Sequence, residues 1–72
     1  MRSEMMSGYE VAKRVNEILA SAGLKEIPAQ MVYHYIKKGY IASTDVNGAK
    51  RVSVEDAAAW CEAYVTKRLQ RA

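Results

Sequence analysis

The sequence predicts a mainly α fold with a small β-hairpin, in the order helix, helix, two-stranded wing, helix, as one domain spanning residues 1–72. Three observations predict it. Apolar residues recur at helical spacing in two stretches before position 40. An Asn47-Gly48 pair then sits between two short polar/apolar segments. A third stretch of helical spacing closes the chain, from Val54 to Leu69.

Each element has its own local signals. Residues 1–6 are expected to be disordered. Ser7 followed by Glu10 forms a capping box, which places a helix start at Gly8. Val11, Val15, Ile18 and Ala22 make one stripe, widened by Ala12 and Leu19. Gly23 can end that helix in a left-handed conformation, and Leu24 to Ile27 is a short connection. Pro28 is expected at the first position of the second helix, where proline is tolerated. That helix runs to Lys38, with Lys37 and Lys38 complementing its dipole and Gly39 as its stop.

Asn-Gly accepts positive φ at both residues, as a type I′ hairpin turn requires. An isolated two-stranded ribbon is not stable in water, so it must pack on the helices. Val46 and Val52 are expected to do this, with Ile41 anchoring the first strand. Ser53 then caps the last helix, whose first turn carries Glu55 and Asp56. Its buried face is expected to hold Val54, Ala58, Cys61, Val65 and Leu69, joined by Ala57 and Tyr64.

The second helix has two opposed faces. At about 100° per residue, Pro28, Val32, Tyr35 and Ile36 cluster on one side and can enter a core. Gln30, Tyr33, His34 and Lys37 fall on the other. Donors and rings in such a row are the groups that reach base edges and phosphates. Behind it, Ser43, Thr44, Asn47, Lys50 and Arg51 are left at the ribbon's outer edge and tip, which suits a minor groove or a phosphate backbone. Tyr35 and Trp60 belong to the core or its margin, and Trp60 beside Tyr64 leaves room for a partner surface.

Composition bounds the function. A chain of 72 residues that is 50% hydrophobic is a folded domain, small enough to bury only about 60% of its unfolded surface. The net charge of +3 is unevenly spread. Residues 27–51 carry Lys37, Lys38, Lys50 and Arg51 against Asp45 alone, so positive charge gathers on the second helix and the hairpin. Lys67, Arg68 and Arg71 mark the end of the chain as a solvated helix terminus or an extra backbone contact.

One cysteine, Cys61, permits neither an internal disulfide nor a thiolate zinc site, and it reads as a small core residue. The single histidine supports no metal site, so no metal or cofactor is expected. One histidine, one cysteine and no convergent carboxylate pair argue against an enzyme. No signal peptide and no stretch of roughly 20 apolar residues is present, so the expected location is the cytoplasm, or the nucleoid when bound to DNA.

Two families share these features. The run Val32-Tyr33-His34-Tyr35-Ile36-Lys37-Lys38-Gly39-Tyr40-Ile41, a short basic hairpin and Val52-Ser53-Val54-Glu55-Asp56-Ala57 resemble the winged helix-turn-helix of phage excisionases. The same stretch is similar to the DNA-binding head of MerR-type regulators, as is Glu10-Val11-Ala12-Lys13 in the first helix. The resemblance spans residues 7–66. It implies that the second helix enters the major groove and the wing touches the adjacent minor groove.

With Ala72 following soon after the third helix, the expectation is an excisionase-type recombination directionality factor that binds and bends double-stranded DNA beside an integrase. Self-association on adjacent sites is part of that expectation, because one small winged unit reads only a few base pairs. The candidate DNA-binding residues are Gln30, Tyr33, His34, Lys37, Lys38, Asn47, Lys50 and Arg51. The alternatives are a small phage or bacterial transcription regulator of MerR-head or Cro type, and a protein-interaction module or inhibitor acting through Trp60 and surface tyrosines.

Overall fold

Residues 4–71 are described by a computed structural model. In chain order the elements are β1 (Met5–Met6), α1 (Gly8–Ser21), α2 (Ala29–Lys38), β2 (Thr44–Val46), β3 (Ala49–Ser53) and α3 (Val54–Arg71). The protein is thus mainly helical, with a small antiparallel sheet of order β1-β3-β2.

The helix ends form where local chemistry satisfies their free backbone groups. The Ser7 N–H donates to Glu10 Oε1 at 2.8 Å, and the Glu10 N–H donates back to Ser7 Oγ at 3.2 Å. Helix α1 closes with Gly23 N–H on the Ala20 carbonyl at 3.1 Å and Leu24 N–H on the Leu19 carbonyl at 2.8 Å, with Gly23 at φ +75°. Helix α2 closes the same way: Gly39, at φ +86°, donates to Ile36 and Tyr40 to Tyr35. These are paired 5→2 and 6→1 bonds around a left-handed residue, which only glycine adopts without strain. Ser53 Oγ accepts from the Asp56 N–H at 3.1 Å and starts α3.

Pro28 differs from its expected place. It stands just outside α2 as the N-cap, with extended backbone (φ −74°, ψ 153°), and it is exposed rather than part of the buried face. Its carbonyl still accepts the Met31 N–H at 3.0 Å. The preceding connection is held from a distance: Asn16 on α1 donates Nδ2 to the Ile27 carbonyl and accepts the Ile27 N–H, both at 2.8 Å. That clamp keeps Ile27 in the core and sets where α2 begins.

The hairpin forms as expected, with Thr44 opposite Arg51, Asp45 opposite Lys50 and Val46 opposite Ala49. Asn47 and Gly48 take φ +52° and +82°, the two positive values that the primed turn demands. A third strand joins it. Met5 pairs with Ser53 and Met6 with Val52, and the Val54 N–H donates to the Glu4 carbonyl at 3.2 Å. The disorder expected of residues 1–6 is therefore corrected for Met5 and Met6, while residues 1–3 lie outside the described residues. Pairing on both edges makes β3 the central strand, and Met6 packs against the core from β1.

The largest side chains essentially without solvent contact are Val11, Val15, Leu19, Val32, Ile41, Val52 and Cys61. Ala12, Ile27, Ile36, Ala57 and Val65 complete the core. The expected buried stripes are trimmed at their margins. Val46 is 40% exposed, on β2, an edge strand of the sheet. Leu69 is 51% exposed, one turn beyond Val65 where the core ends. Ile18, Ala22 and Ala58 also face solvent, and Val54 is half-buried. Among the described residues no helix is long and apolar enough to cross a membrane.

Candidate nucleic-acid interface

Helix α2 presents Gln30, Tyr33, His34 and Lys37 to solvent, on the side opposite its buried Val32 and Ile36. No side chain caps its N-terminus and its first turn holds no acidic residue, while Lys37 and Lys38 stand in its last turn. Its outer face is therefore without negative charge along its whole length.

Tyr33 is only half exposed, at 50%. Its ring lies against Gly8 at the start of α1: a Cβ on Gly8 would stand 2.4 Å from Tyr33 Cε1 and 2.6 Å from Cδ1. Gly8 is thus buried by a tyrosine of another helix, a relation that the helix-start signal around Ser7 does not reveal. The close approach of the ring to bare backbone defines where Tyr33 projects.

Helix α2 and the hairpin frame a groove lined by Ser7, Tyr33, Ile36, Lys37, Lys50 and Arg51, with Ala49 at its side. Tyr33, Lys37, Lys50 and Arg51 are thereby brought together from elements far apart in sequence. Gln30, His34, Lys38 and Asn47 are exposed but do not line the groove. His34 leans toward Tyr35, with ring centroids 6.3 Å apart. Asn47 is at the hairpin tip, and Lys38 lies to one side of the row.

A carboxylate pairs with one of these cations. Asp45 Oδ1 lies 3.6 Å from Lys50 Nζ across the hairpin, with both side chains well exposed. An exposed pair at that distance is weak and screened by salt, so Lys50 remains available to another anion. No group of three or more His, Cys, Asp or Glu side chains among the described residues could hold a metal ion. Cys61 is a free, buried thiol, and burial pushes its pKa up while the Arg14 charge pulls it back in part.

A second groove lies on the other flank of α2, lined by tyrosines, Trp60 and the basic end of α3. Tyr35, Trp60 and Tyr64 are half-buried against the core, as their sequence positions suggested. Tyr40 is 68% exposed and was not singled out by the sequence; its position directly after the Gly39 stop was the available signal. Asn16 was missed as well, since a polar residue beside a helix stripe reads as solvated until its partner is known.

No family model, no curated protein and no solved structure matches this chain.

Proposed function

We propose that the protein is a sequence-specific double-stranded DNA-binding protein without enzymatic activity, built as a winged helix-turn-helix in which α2 is the recognition helix and β2–β3 the wing. The observation that carries this reading is the groove in which Tyr33 and Lys37 of α2 face Lys50 and Arg51 of the hairpin. An exposed helix face with an outward row of donors fits a major groove, and a basic two-stranded finger beside it fits the adjacent minor groove or its phosphates. The uncapped, acid-free N-terminus of α2 favours a phosphate there too.

In this reading Gln30 and His34 reach base edges, Tyr33 contacts a phosphate or base from its seat on Gly8, and Lys37, Lys38, Lys50 and Arg51 neutralise phosphates. Asn47 contacts the backbone from the wing tip. The site of action is the nucleoid in the cytoplasm. Following the excisionase resemblance, the protein binds adjacent sites in several copies and bends the DNA beside an integrase; control of a promoter is the transcriptional alternative.

Footprinting on the DNA flanking the gene tests this. Several contiguous protected sites next to an integrase attachment site are the expected result, and one isolated promoter operator favours a regulator instead. Absence of any complex with double-stranded DNA at low ionic strength refutes the proposal.

A further inference from the structure

The second groove has a chemistry that duplex recognition does not use. Its floor is a cluster of four rings centred on Tyr35, whose centroid is 5.9 Å from Tyr40, 5.8 Å from Trp60 and 6.2 Å from Tyr64. Trp60 and Tyr64 stack at 5.0 Å with 24° between planes. One wall is basic: Lys67, Arg68 and Arg71 follow Trp60 and Tyr64 along one face of α3. Arg68 is held in place, its guanidinium 5.8 Å from the Tyr64 ring centroid and its Nη1 donating to Tyr64 Oη at 3.1 Å.

Two ordinary explanations account for only part of this. Cations in the last turn of a helix complement its dipole, which explains Arg68 and Arg71 but not the rings. Tyr35 and Trp60 shield the core margin, which does not explain Tyr40, more than two-thirds exposed over the same groove.

The chemistry of the occupant follows from the lining. Among the described residues, three cations and no carboxylate line the groove. The acids of α3 are elsewhere: Glu55 and Asp56 are in its first turn, and Glu62 lines a different groove with Arg14 and Cys61. An anionic partner is therefore favoured, and the ring floor asks for an apolar anchor between the anionic groups. Trp, Tyr and Arg together are the residues that carry most binding energy at protein interfaces. The groove also stays open when α2 is engaged, because Tyr35 is about 160° around the helix from Tyr33, facing away from the first groove.

We propose that the groove between α2 and the C-terminal half of α3 docks an acidic peptide segment of a partner protein. An apolar side chain of the segment seats on the Tyr35–Trp60–Tyr64 floor beside Tyr40, and its flanking carboxylates pair with Lys67, Arg68 and Arg71. This surface is independent of the DNA-facing one.

The full-length protein reports on this groove by itself, because Trp60 is its only tryptophan. The probe is a short synthetic peptide of Asp and Glu around a central Leu-Phe pair, titrated while Trp60 emission is followed. The expected result is a saturable change with Kd tighter than about 100 µM. A Lys67→Glu/Arg71→Glu variant, altered only at exposed positions, weakens it roughly tenfold or more, the size of a lost charge pair with reversal. Tyr40→Ala weakens it too, and Lys37→Ala/Lys50→Ala leaves it unchanged, as does prior addition of duplex DNA. Circular dichroism melting confirms that each variant is folded.

Four results overturn the proposal: no saturable change up to about 1 mM peptide; equal response to the same peptide with Lys in place of its acids; loss of the response in Lys37→Ala/Lys50→Ala; or tighter, competing binding by single-stranded oligothymidylate, which assigns the groove to nucleic acid. Because DNA-facing and groove variants are separate, failure here leaves the duplex reading standing, and the reverse also holds.

Discussion

Tyr33 on α2 and Gly8 at the start of α1 are in a contact that leaves no room for a methyl group: a Cβ at position 8 would be 2.4 Å from the tyrosine ring. Bare backbone at one residue thereby positions a side chain on the proposed DNA-binding face. The obstructing atoms belong to a half-exposed ring, so a larger residue at position 8 displaces Tyr33 rather than unfolding the protein. Gly8→Ala is expected to stay folded, with stability within about 1 kcal/mol of wild type because alanine's better helix propensity offsets the clash. Its DNA affinity falls severalfold. Since both changes act through one ring, Gly8→Ala adds little on top of Tyr33→Ala in a double-mutant cycle. Additive losses in gel-shift titrations refute the link.

Asn16 makes two hydrogen bonds to the backbone of Ile27, and nothing else on α1 holds that connection by side-chain bonds among the described residues. Asn16→Ala leaves the Ile27 N–H and carbonyl, both sheltered from solvent, without partners and is expected to cost about 2 kcal/mol. For a domain this small that lowers Tm by roughly 8–16 °C. Asn16→Asp keeps the acceptor but sets an oxygen against the Ile27 carbonyl, so it also destabilises. Urea denaturation of the three proteins checks the order.

The exposed Asp45–Lys50 pair places a carboxylate on a surface proposed to meet phosphates. Asp45→Asn is expected to leave stability within about 0.5 kcal/mol of wild type. DNA binding by that variant strengthens by about threefold at low salt, as one repulsive charge is removed. Lys50→Ala acts oppositely, weakening all sequences alike and lowering the slope of log affinity on log salt by about one, from a wild-type value near −4. Gln30→Ala instead relaxes specificity at one position by about 1–3 kcal/mol. Binding isotherms across a salt series separate the three behaviours.

Burial raises the pKa of the Cys61 thiol above its ordinary 9.0, and burial with the neighbouring Tyr64 raises that of Tyr35 above 10.0. In each case the unfolded chain loses its proton first. Stability is therefore constant below the unfolded values and falls as pH rises through the window up to the folded ones. The urea midpoint is expected to be flat from neutral pH to about 8 and to decline above about 9, with Cys61 contributing first and Tyr35 later. Cys61→Ala removes the earlier part of the decline, at a constant offset of about 1 kcal/mol from the lost sulfur packing. A decline beginning on the acid side of neutrality contradicts this assignment.

What was legible in the sequence shares a physical property: its cause lies within a few residues. The Ser7–Glu10 box, the left-handed stops at Gly23 and Gly39, the Asn47-Gly48 turn and the Ser53 cap each complete their own hydrogen bonds locally. Periodicity likewise identified which side of α2 is buried and which carries Gln30, Tyr33, His34 and Lys37. It could not say how far the core extends along a stripe, which is why Ile18, Val46 and Leu69 were expected inside and lie at the surface.

By itself, then, the sequence determined the helices, the hairpin and the polar face of α2, because dihedral preference and apolar spacing act through the nearby chain. Tertiary structure alone decided that Met5 and Met6 complete the sheet, that Asn16 clamps Ile27, and that Gly8 yields its space to Tyr33. It also decided which cations share a groove and that four rings gather beside the end of α3. Those relations join segments distant along the chain, and their geometry exists only once the core has set the angles between the elements.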